Sequence, residues 1–229
     1  MKILFLYPNH EGYFRCPVGL TLIMTIVANE GHEVKLFDTT FMASDKSVNN
    51  TQMEKANVVK PVPLDHFFNK VSKNQIESNW LKLIKEFSPD IIGTTILEDS
   101  YQYCDRLLGL AKSKFKIPTV AGGSMPTIVP QVIIENPNID YVVEGEGEVA
   151  FRDLLNALEK GTSLDKVPNL WRKDNGKVVK NPLVQYLDMD EIPDQIIEFW
   201  DEKHFRKPYD GKLYNTGFFE TSRGCMHKC

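Results

Sequence analysis

The sequence predicts an α/β fold: a doubly wound parallel sheet of five strands in the flavodoxin-like order 2-1-3-4-5. Three observations carry that expectation. Short apolar runs alternate with stretches of helical spacing over residues 1–163, the grammar of βαβ units with right-handed crossovers. Lys2–Tyr7 is apolar almost throughout, as a strand covered on both faces should be. At the centre, Ile117-Pro118-Thr119-Val120-Ala121-Gly122-Gly123 is a strand that runs into two glycines. In such sheets ligands sit outside the carboxyl ends of the strands, near the point where strand order reverses.

The elements follow in chain order. After the first strand, Lys2–Tyr7, a loop from Pro8 to Cys16 leads to Pro17, suited to the first turn of a helix that Gly31 closes. Val18, Leu20, Leu22, Ile23, Met24, Ile26 and Val27 wrap most of the way round that helix. One sheet face needs only a stripe, so the helix is expected either to pack closely within the domain or to touch a further apolar surface. Glu33–Asp38 alternates and reads as the second strand, whereas the next ~35 residues (39–73) carry little periodicity. Helical spacing returns with Ile76, Trp80, Leu83, Ile84 and Phe87, and Pro89 stops it. Asp90–Thr95 is the third strand, and Ser100 is placed as N-cap of a helix burying Tyr103, Leu107, Leu110 and Ala111. The Gly122-Gly123 strand and a short helix near Pro130–Glu135 come next, then a fifth strand, Asp140–Val143, and a helix Glu148–Lys160 closed by Gly161.

Beyond Gly161 the pattern changes. Leu170–Val179 reads as a hairpin turned by Asn175-Gly176, a type I′ signal. Leu187–Pro193 is acidic and proline-punctuated, as a linker would be, and Leu213–Thr221 reads as a strand that opens a new unit. The expected organisation is therefore an α/β domain over residues 1–163, a hairpin and linker over 164–212, and the start of a further unit over 213–229.

Bulk properties exclude several function classes. A chain of 229 residues with 42% hydrophobic and 25% charged residues is ordinary for a globular protein. A net charge of −4 gives no electrostatic reason to expect nucleic acid. No run approaches the ~20 apolar residues of a membrane span, and the apolar start at Met1 is cut short by Pro8-Asn9-His10. Of the four cysteines, Cys16 and Cys104 stand alone while Cys225 and Cys229 form a close pair, which suits reduced thiols in a cytoplasmic protein rather than a disulfide framework.

Three loops should meet at the carboxyl edge of the sheet: Pro8–Cys16, Thr94–Ser100 and Gly122–Thr127, with Glu144–Glu148 beside them. Adjacent glycines can take positive φ or touch a ligand closely, and Thr94 and Thr95 end an apolar strand with hydroxyls that can bond a polar group. Gly122, Gly123 and Ser124 form the turn itself. Gly145, Gly147 and Ala150 satisfy G-x-G-x-x-A between a strand and a helix, the dinucleotide fingerprint. It follows the fifth strand instead of the first, and Glu144, Glu146 and Glu148 would repel a pyrophosphate at the helix start. Acidic residues there do stabilise the helix itself.

Thr221-Ser222-Arg223-Gly224-Cys225-Met226-His227-Lys228-Cys229 resembles the opening of the radical S-adenosylmethionine motif, T-S-R-G-C-x-x-x-C-x-x-C. In that family three thiolates on one short loop hold three irons of a 4Fe–4S cluster, and S-adenosylmethionine chelates the fourth. Cys225 and Cys229 match two of the three positions, and the third falls past residue 229. Upstream, the chain resembles the N-terminal cobalamin-binding domain of cobalamin-dependent radical S-adenosylmethionine proteins. Pro17-Val18-Gly19-Leu20, Gly31-His32-Glu33-Val34, Gly122-Gly123, Asp140–Glu148 (D-x-V-V-x-G-E-G-E) and Leu187–Pro193 occur in the family's order.

The resemblance implies cobalamin as cofactor. The corrin would lie at the carboxyl edge and the nucleotide tail would enter the sheet beside Thr94, Thr95, Gly122 and Gly123, with Ser124, Gly145, Glu146, Gly147 and Glu148 also in the binding set. It implies a 4Fe–4S cluster and S-adenosylmethionine in a longer parent whose radical barrel begins at residues 213–229. That parent would perform methyl transfer or radical rearrangement or cyclisation on a small-molecule substrate, and this stretch alone would bind without turnover. Tyr7-Pro8-Asn9-His10-Glu11-Gly12 lacks the D-x-H-x-x-G pattern of cobalt-ligating loops, so His10 is expected not to ligate cobalt. The alternative is a non-catalytic flavodoxin-like binder of flavin or nucleotide with a chance C-x3-C.

Overall fold

β1 (Lys2–Tyr7) lies inside a parallel sheet, paired with β2 (Glu33–Asp38) on one side and β3 (Ile91–Thr95) on the other. β4 (Thr119–Gly122) and β5 (Tyr141–Val143) continue it in parallel, so the order β2-β1-β3-β4-β5 is the expected one. The computed structural model describes residues 1–9, 14–42, 55–58, 60–184 and 188–224. The hairpin, expected as a connection, extends this sheet. β6 (Leu170–Asp174) pairs antiparallel with β5, and β7 (Lys177–Lys180) pairs with β6, giving one mixed sheet of seven strands. Asn175 and Gly176 both take positive φ (49° and 77°), as the tight turn between them requires.

Because side chains alternate along a strand, each strand feeds two layers. Ile3, Phe5, Tyr7, Ile91, Val120 and Val143 face one way, packed with α1 (Val18–Asn29) and α6 (Glu148–Lys160). Leu4, Leu6, Ile92, Ala121 and Val142 face the other, packed with α2 (Lys73–Phe87), α3 (Tyr101–Lys114) and α5 (Pro130–Glu135). A five-residue helix, α4 (Ser124–Ile128), follows β4 directly. In the second layer Trp80 is fully buried, packs on Phe37 with ring centroids 5.0 Å apart, and donates its indole N–H to the Leu107 carbonyl at 2.8 Å.

Helix ends follow local chemistry with one departure. Ser72 caps α2, accepting from the Gln75 N–H, and Gly161 closes α6 in the left-handed region. Ser100 stands at the N-cap of α3 as expected, yet its hydroxyl makes no cap bond. It accepts from the Leu97 N–H (3.1 Å) and lies 3.2 Å from the Leu97 carbonyl, closing the preceding turn instead.

What covers the outer side of α1 is the chain's own return. Residues 195–205 cross that helix: the Ile196 N–H donates to Thr25 Oγ1 and the Trp200 indole N–H to Thr21 Oγ1, both at 2.9 Å. Trp200 meets Tyr7 edge-on at 5.3 Å, and His204, fully buried, bonds Asp38 at the end of β2 through Nε2 (2.6 Å). β8 (Arg206–Tyr209) and β9 (Lys212–Asn215) then form a separate antiparallel hairpin. The strand expected over Leu213–Thr221 therefore ends at Asn215 and has β8 as its neighbour. Asp210 and Gly211 take positive φ (46° and 75°) and turn the chain there, an Asp-Gly hairpin signal. Residues 216–223 adopt no regular structure.

Candidate functional site

The carboxyl ends of β1, β3, β4 and β5 open into a cavity of about 460 Å³ on the α1–α6 side of the sheet, within the size range of small-molecule sites. Its floor is apolar: Phe5, Val120, Val143 and Phe151 line it, with Leu20 and Ile23 of α1 as one wall. Glycine makes the room. A Cβ at Gly93 would lie 2.7 Å from Phe5 and 3.5 Å from Phe151, so only glycine lets both rings sit over β3. A Cβ at Gly122 would meet nothing within 4 Å; that position faces open space. Gly123 is different, with φ of 104° and Thr95 Oγ1 only 2.6 Å from where a Cβ would be. Here a side chain is excluded by both conformation and crowding.

Thr94 and Thr95 divide between the two faces. The Thr94 hydroxyl donates to the Leu6 carbonyl (3.1 Å) and sits 3.3 Å from Cys104 Sγ. It is therefore committed within the opposite layer, although the residue lines the cavity. Thr95 sits on the cavity side, its Oγ1 beside Gly123. The two glycine loops are stitched by Thr127, whose hydroxyl donates to the Gly123 carbonyl (2.8 Å) and accepts from the Gly145 N–H (3.1 Å). Ser124 opens α4 next to this seam and does not line the cavity.

The three glutamates of the Glu144–Glu148 loop part company. Glu144 turns to the hairpin, accepting from the Trp171 indole N–H (2.6 Å) and pairing with Lys180 (3.1 Å). Glu146 and Glu148 turn to Arg223, at 3.3 and 2.6 Å. Gly147 allows the start of α6 to approach α1, since a Cβ there would lie 2.8 Å from Ile23 Cδ1. Asn169, at the base of β6, donates to the Glu146 carbonyl (3.1 Å), and its own carbonyl accepts from the Glu144 N–H (2.9 Å). The hairpin thus buttresses the loop.

The structure brings Thr94, Thr95, Gly122, Gly123, Gly145, Glu146, Gly147 and Glu148 to one cavity. His10, Cys225 and Cys229 lie outside the described residues. Glu220, Ser222, Arg223 and Gly224 also line the cavity, a wall that sequence reasoning missed. Three clustered glutamates are a signal for a nearby cation, but 75 residues separate Glu148 from Arg223 and no local pattern links them.

The charge balance at the rim bears on the ligand class. One guanidinium is shared among Glu146, Glu148 and Glu220, so three carboxylates crowd the rim. Desolvation alone would lower the Arg223 pKa, but hydrogen bonds and charge from Glu148 and Glu220 outweigh it and hold the group above its ordinary value. A phosphate at the start of α6 would meet carboxylates, which disfavours the dinucleotide reading of Gly145-x-Gly147.

Residues 70–155 match the family model described as "B12 binding domain". An uncharacterised methyltransferase of Pyrococcus horikoshii is 31% identical across the whole of this chain, which spans 44% of that protein. An anaerobic magnesium-protoporphyrin IX monomethyl ester cyclase of Rubrivivax gelatinosus is 32% identical over 174 residues, 72% of this chain and 30% of the cyclase. Among solved structures, the radical S-adenosylmethionine methyltransferase TsrM of Kitasatospora setae, with cobalamin and a [4Fe-4S] cluster bound, matches 84% of this chain and 30% of its own. Its TM-score is 0.58 at 20% identity, a likeness of fold. The chain spans less than half the length of the Pyrococcus protein.

Proposed function

From the match of residues 70–155 to the B12 binding domain model, we propose that the chain is the cobalamin-holding module of a radical S-adenosylmethionine enzyme. The observation that carries the reading is the cavity between α1 and α6, apolar in its depth, floored by Phe5 over Gly93, and open at Gly122. Its volume suits the nucleotide tail of a cobalamin rather than a whole corrin. Thr95 and Gly122 would admit the tail, and Gly123 with the Gly145–Glu148 loop would hold the corrin at the carboxyl edge. The carboxylates at the start of α6 disfavour a dinucleotide pyrophosphate at that helix end.

When bound, cobalamin supplies methyl-carrying or one-electron chemistry at its metal. The chain's own residues do the holding. Gly122 and Gly123 let backbone approach the ligand, Thr95 offers a hydroxyl at the mouth, and Phe5 and Phe151, with ring centroids 5.4 Å apart, exclude water below. Cys225 and Cys229, within the T-S-R-G-C-x-x-x-C motif, are proposed to give two thiolates to a 4Fe–4S cluster in the longer parent. That parent would use cluster, S-adenosylmethionine and cobalamin together for methyl transfer or rearrangement on a small substrate. Among the described residues no helix is long and apolar enough to cross a membrane. We place the protein in the cytoplasm, where the buried free thiols Cys16 and Cys104 stay reduced.

Absorbance titration separates the readings. Hydroxocobalamin added to the protein should bind one to one with a shift of the corrin bands, while flavin mononucleotide and NAD should not compete. Saturable flavin binding with no cobalamin binding would refute the proposal.

A further inference from the structure

The chain beyond β9 turns back over the cavity. The Thr216 N–H donates to the Phe205 carbonyl (2.9 Å), and Phe218 packs against the α1–α6 layer while its neighbour Phe219 stays exposed. Glu220, Ser222, Arg223 and Gly224 then form the cavity's outer wall. A segment without regular structure holds such a course only if something fixes its far end.

Arg223 is what fixes it. Nη2 donates to Glu148 Oε1 at 2.6 Å and to Glu220 Oε2 at 2.9 Å; Nε donates to the same Glu220 oxygen at 3.0 Å; and Nη1 lies 3.3 Å from Glu146 Oε1. The Arg223 side chain is only 9% exposed and that of Glu148 4%. A buried charge is tolerable when its partners are in place and strongly destabilising when one is removed. Glu148 belongs to the first turn of α6, so the bridge ties the late segment to a rigid helix, and the planar fork of arginine suits two carboxylates where lysine would not. With three carboxylates around it, the guanidinium is a poor attractor for an anionic ligand, although its Nη1 makes no hydrogen bond. Its task is mechanical.

We propose that Arg223 is a positioning residue: seated among Glu146, Glu148 and Glu220, it clamps residues 220–224 in place as the outer wall of the cavity. The clamp sets where the chain passes the rim before it reaches Cys225. It joins the late segment to the Glu144–Glu148 loop at the cavity's rim. The clamp stands on ion-pair geometry alone; only the identity of the enclosed ligand rests on the cobalamin reading.

Hydrogen–deuterium exchange on the ligand-free protein tests the clamp, with hydroxocobalamin affinity measured beside it. Arg223→Gln should speed exchange of amides 217–223 by about tenfold or more, a local opening, while β1, β3 and α2 keep their protection. Hydroxocobalamin affinity should fall by about tenfold as the wall loosens. Arg223→Lys should restore part of both, because it keeps the charge but not the fork. Glu220→Gln touches neither α6 nor the core, so it reads the clamp even if Arg223→Gln fails to fold, and it should shift the same amides by a smaller factor. Wild-type exchange at 217–223 in both Arg223→Gln and Glu220→Gln would overturn the proposal. Wild-type protein that binds no hydroxocobalamin, yet opens at 217–223 on mutation, would refute the cofactor reading and support the clamp.

Discussion

The two faces of the sheet are made by the same strands and end differently. On the α2–α3 side, Leu4, Leu6, Ile92, Ala121 and Val142 meet Trp80, Ile84, Phe87 and Leu107 in a packed layer. On the α1–α6 side, β3 and β4 present Gly93 and Gly122 where the other face has Ile92 and Ala121. One residue of register decides which strand positions line the cavity. Both layers bury an apolar core, and the proposed binding falls to the second alone, so substitutions should divide accordingly.

The largest effects should come from a crossed pair. Trp80→Ala removes the biggest side chain of the filled face and its bond to the Leu107 carbonyl, and should cost about 3–5 kcal/mol in denaturant unfolding with hydroxocobalamin affinity unchanged. Gly122→Leu should do the reverse. Its side chain enters open space without backbone strain, so the melting temperature should stay near wild type while affinity falls by about a hundredfold or more. Equal losses of stability and affinity in both variants would erase the distinction. Gly123 is a poorer probe, because a Cβ there strikes Thr95 and Ile96 and strains the backbone as well.

A smaller version of the same division lies between neighbours. Thr94→Val gives up the bond to the Leu6 carbonyl and should lower stability by about 1 kcal/mol with affinity intact. Thr95→Val should leave stability alone and weaken hydroxocobalamin binding several-fold. Affinity lost in Thr94→Val and kept in Thr95→Val would reverse the assignment of faces.

Each layer also holds one thiol, Cys16 on the α1 side and Cys104 on the α3 side. Burial pushes both up from 9.0 to about 12, with Asp38 adding to the shift at Cys16 and a hydrogen bond to Thr94 opposing it at Cys104. The unfolded chain thus releases these protons near pH 9 while the native one keeps them. The stability they contribute is complete below that pH and is lost as pH rises from 9.0 toward about 12. Burial likewise raises Tyr7, which acts in the same direction. Urea midpoints should fall steadily above pH 9, and Cys16→Ala with Cys104→Ala should flatten the slope. An unchanged slope in that double variant would mean that other groups govern it.

Much of this was legible in the sequence because it is local. The double glycine, the apolar first strand and the Gly145–Glu148 turn each announce themselves within a few residues, and strand order follows from the handedness of their connections. The Asn175-Gly176 hairpin was equally plain, but its attachment to β5 was not, since register across a sheet edge depends on a distant partner. The same holds for the cover of α1. Its apolar outer side allowed for a second surface, yet nothing near residue 25 points to Trp200 and Ile196 some 170 residues later. Asp210-Gly211 carried a hairpin signal that shortens the strand expected over Leu213–Thr221. Which way Thr94 and Thr95 face could be read only once β3 was placed beside β1.

The central claim is that the α1–α6 face of this sheet holds the cofactor and the α2–α3 face does not. Hydrogen–deuterium exchange of the protein with and without saturating hydroxocobalamin tests it directly. The account predicts added protection at residues 93–95, 122–124 and 144–148 and along α1, with α2 and α3 exchanging at unchanged rates. Protection concentrated in α2 and α3, or spread evenly over both layers, would contradict it.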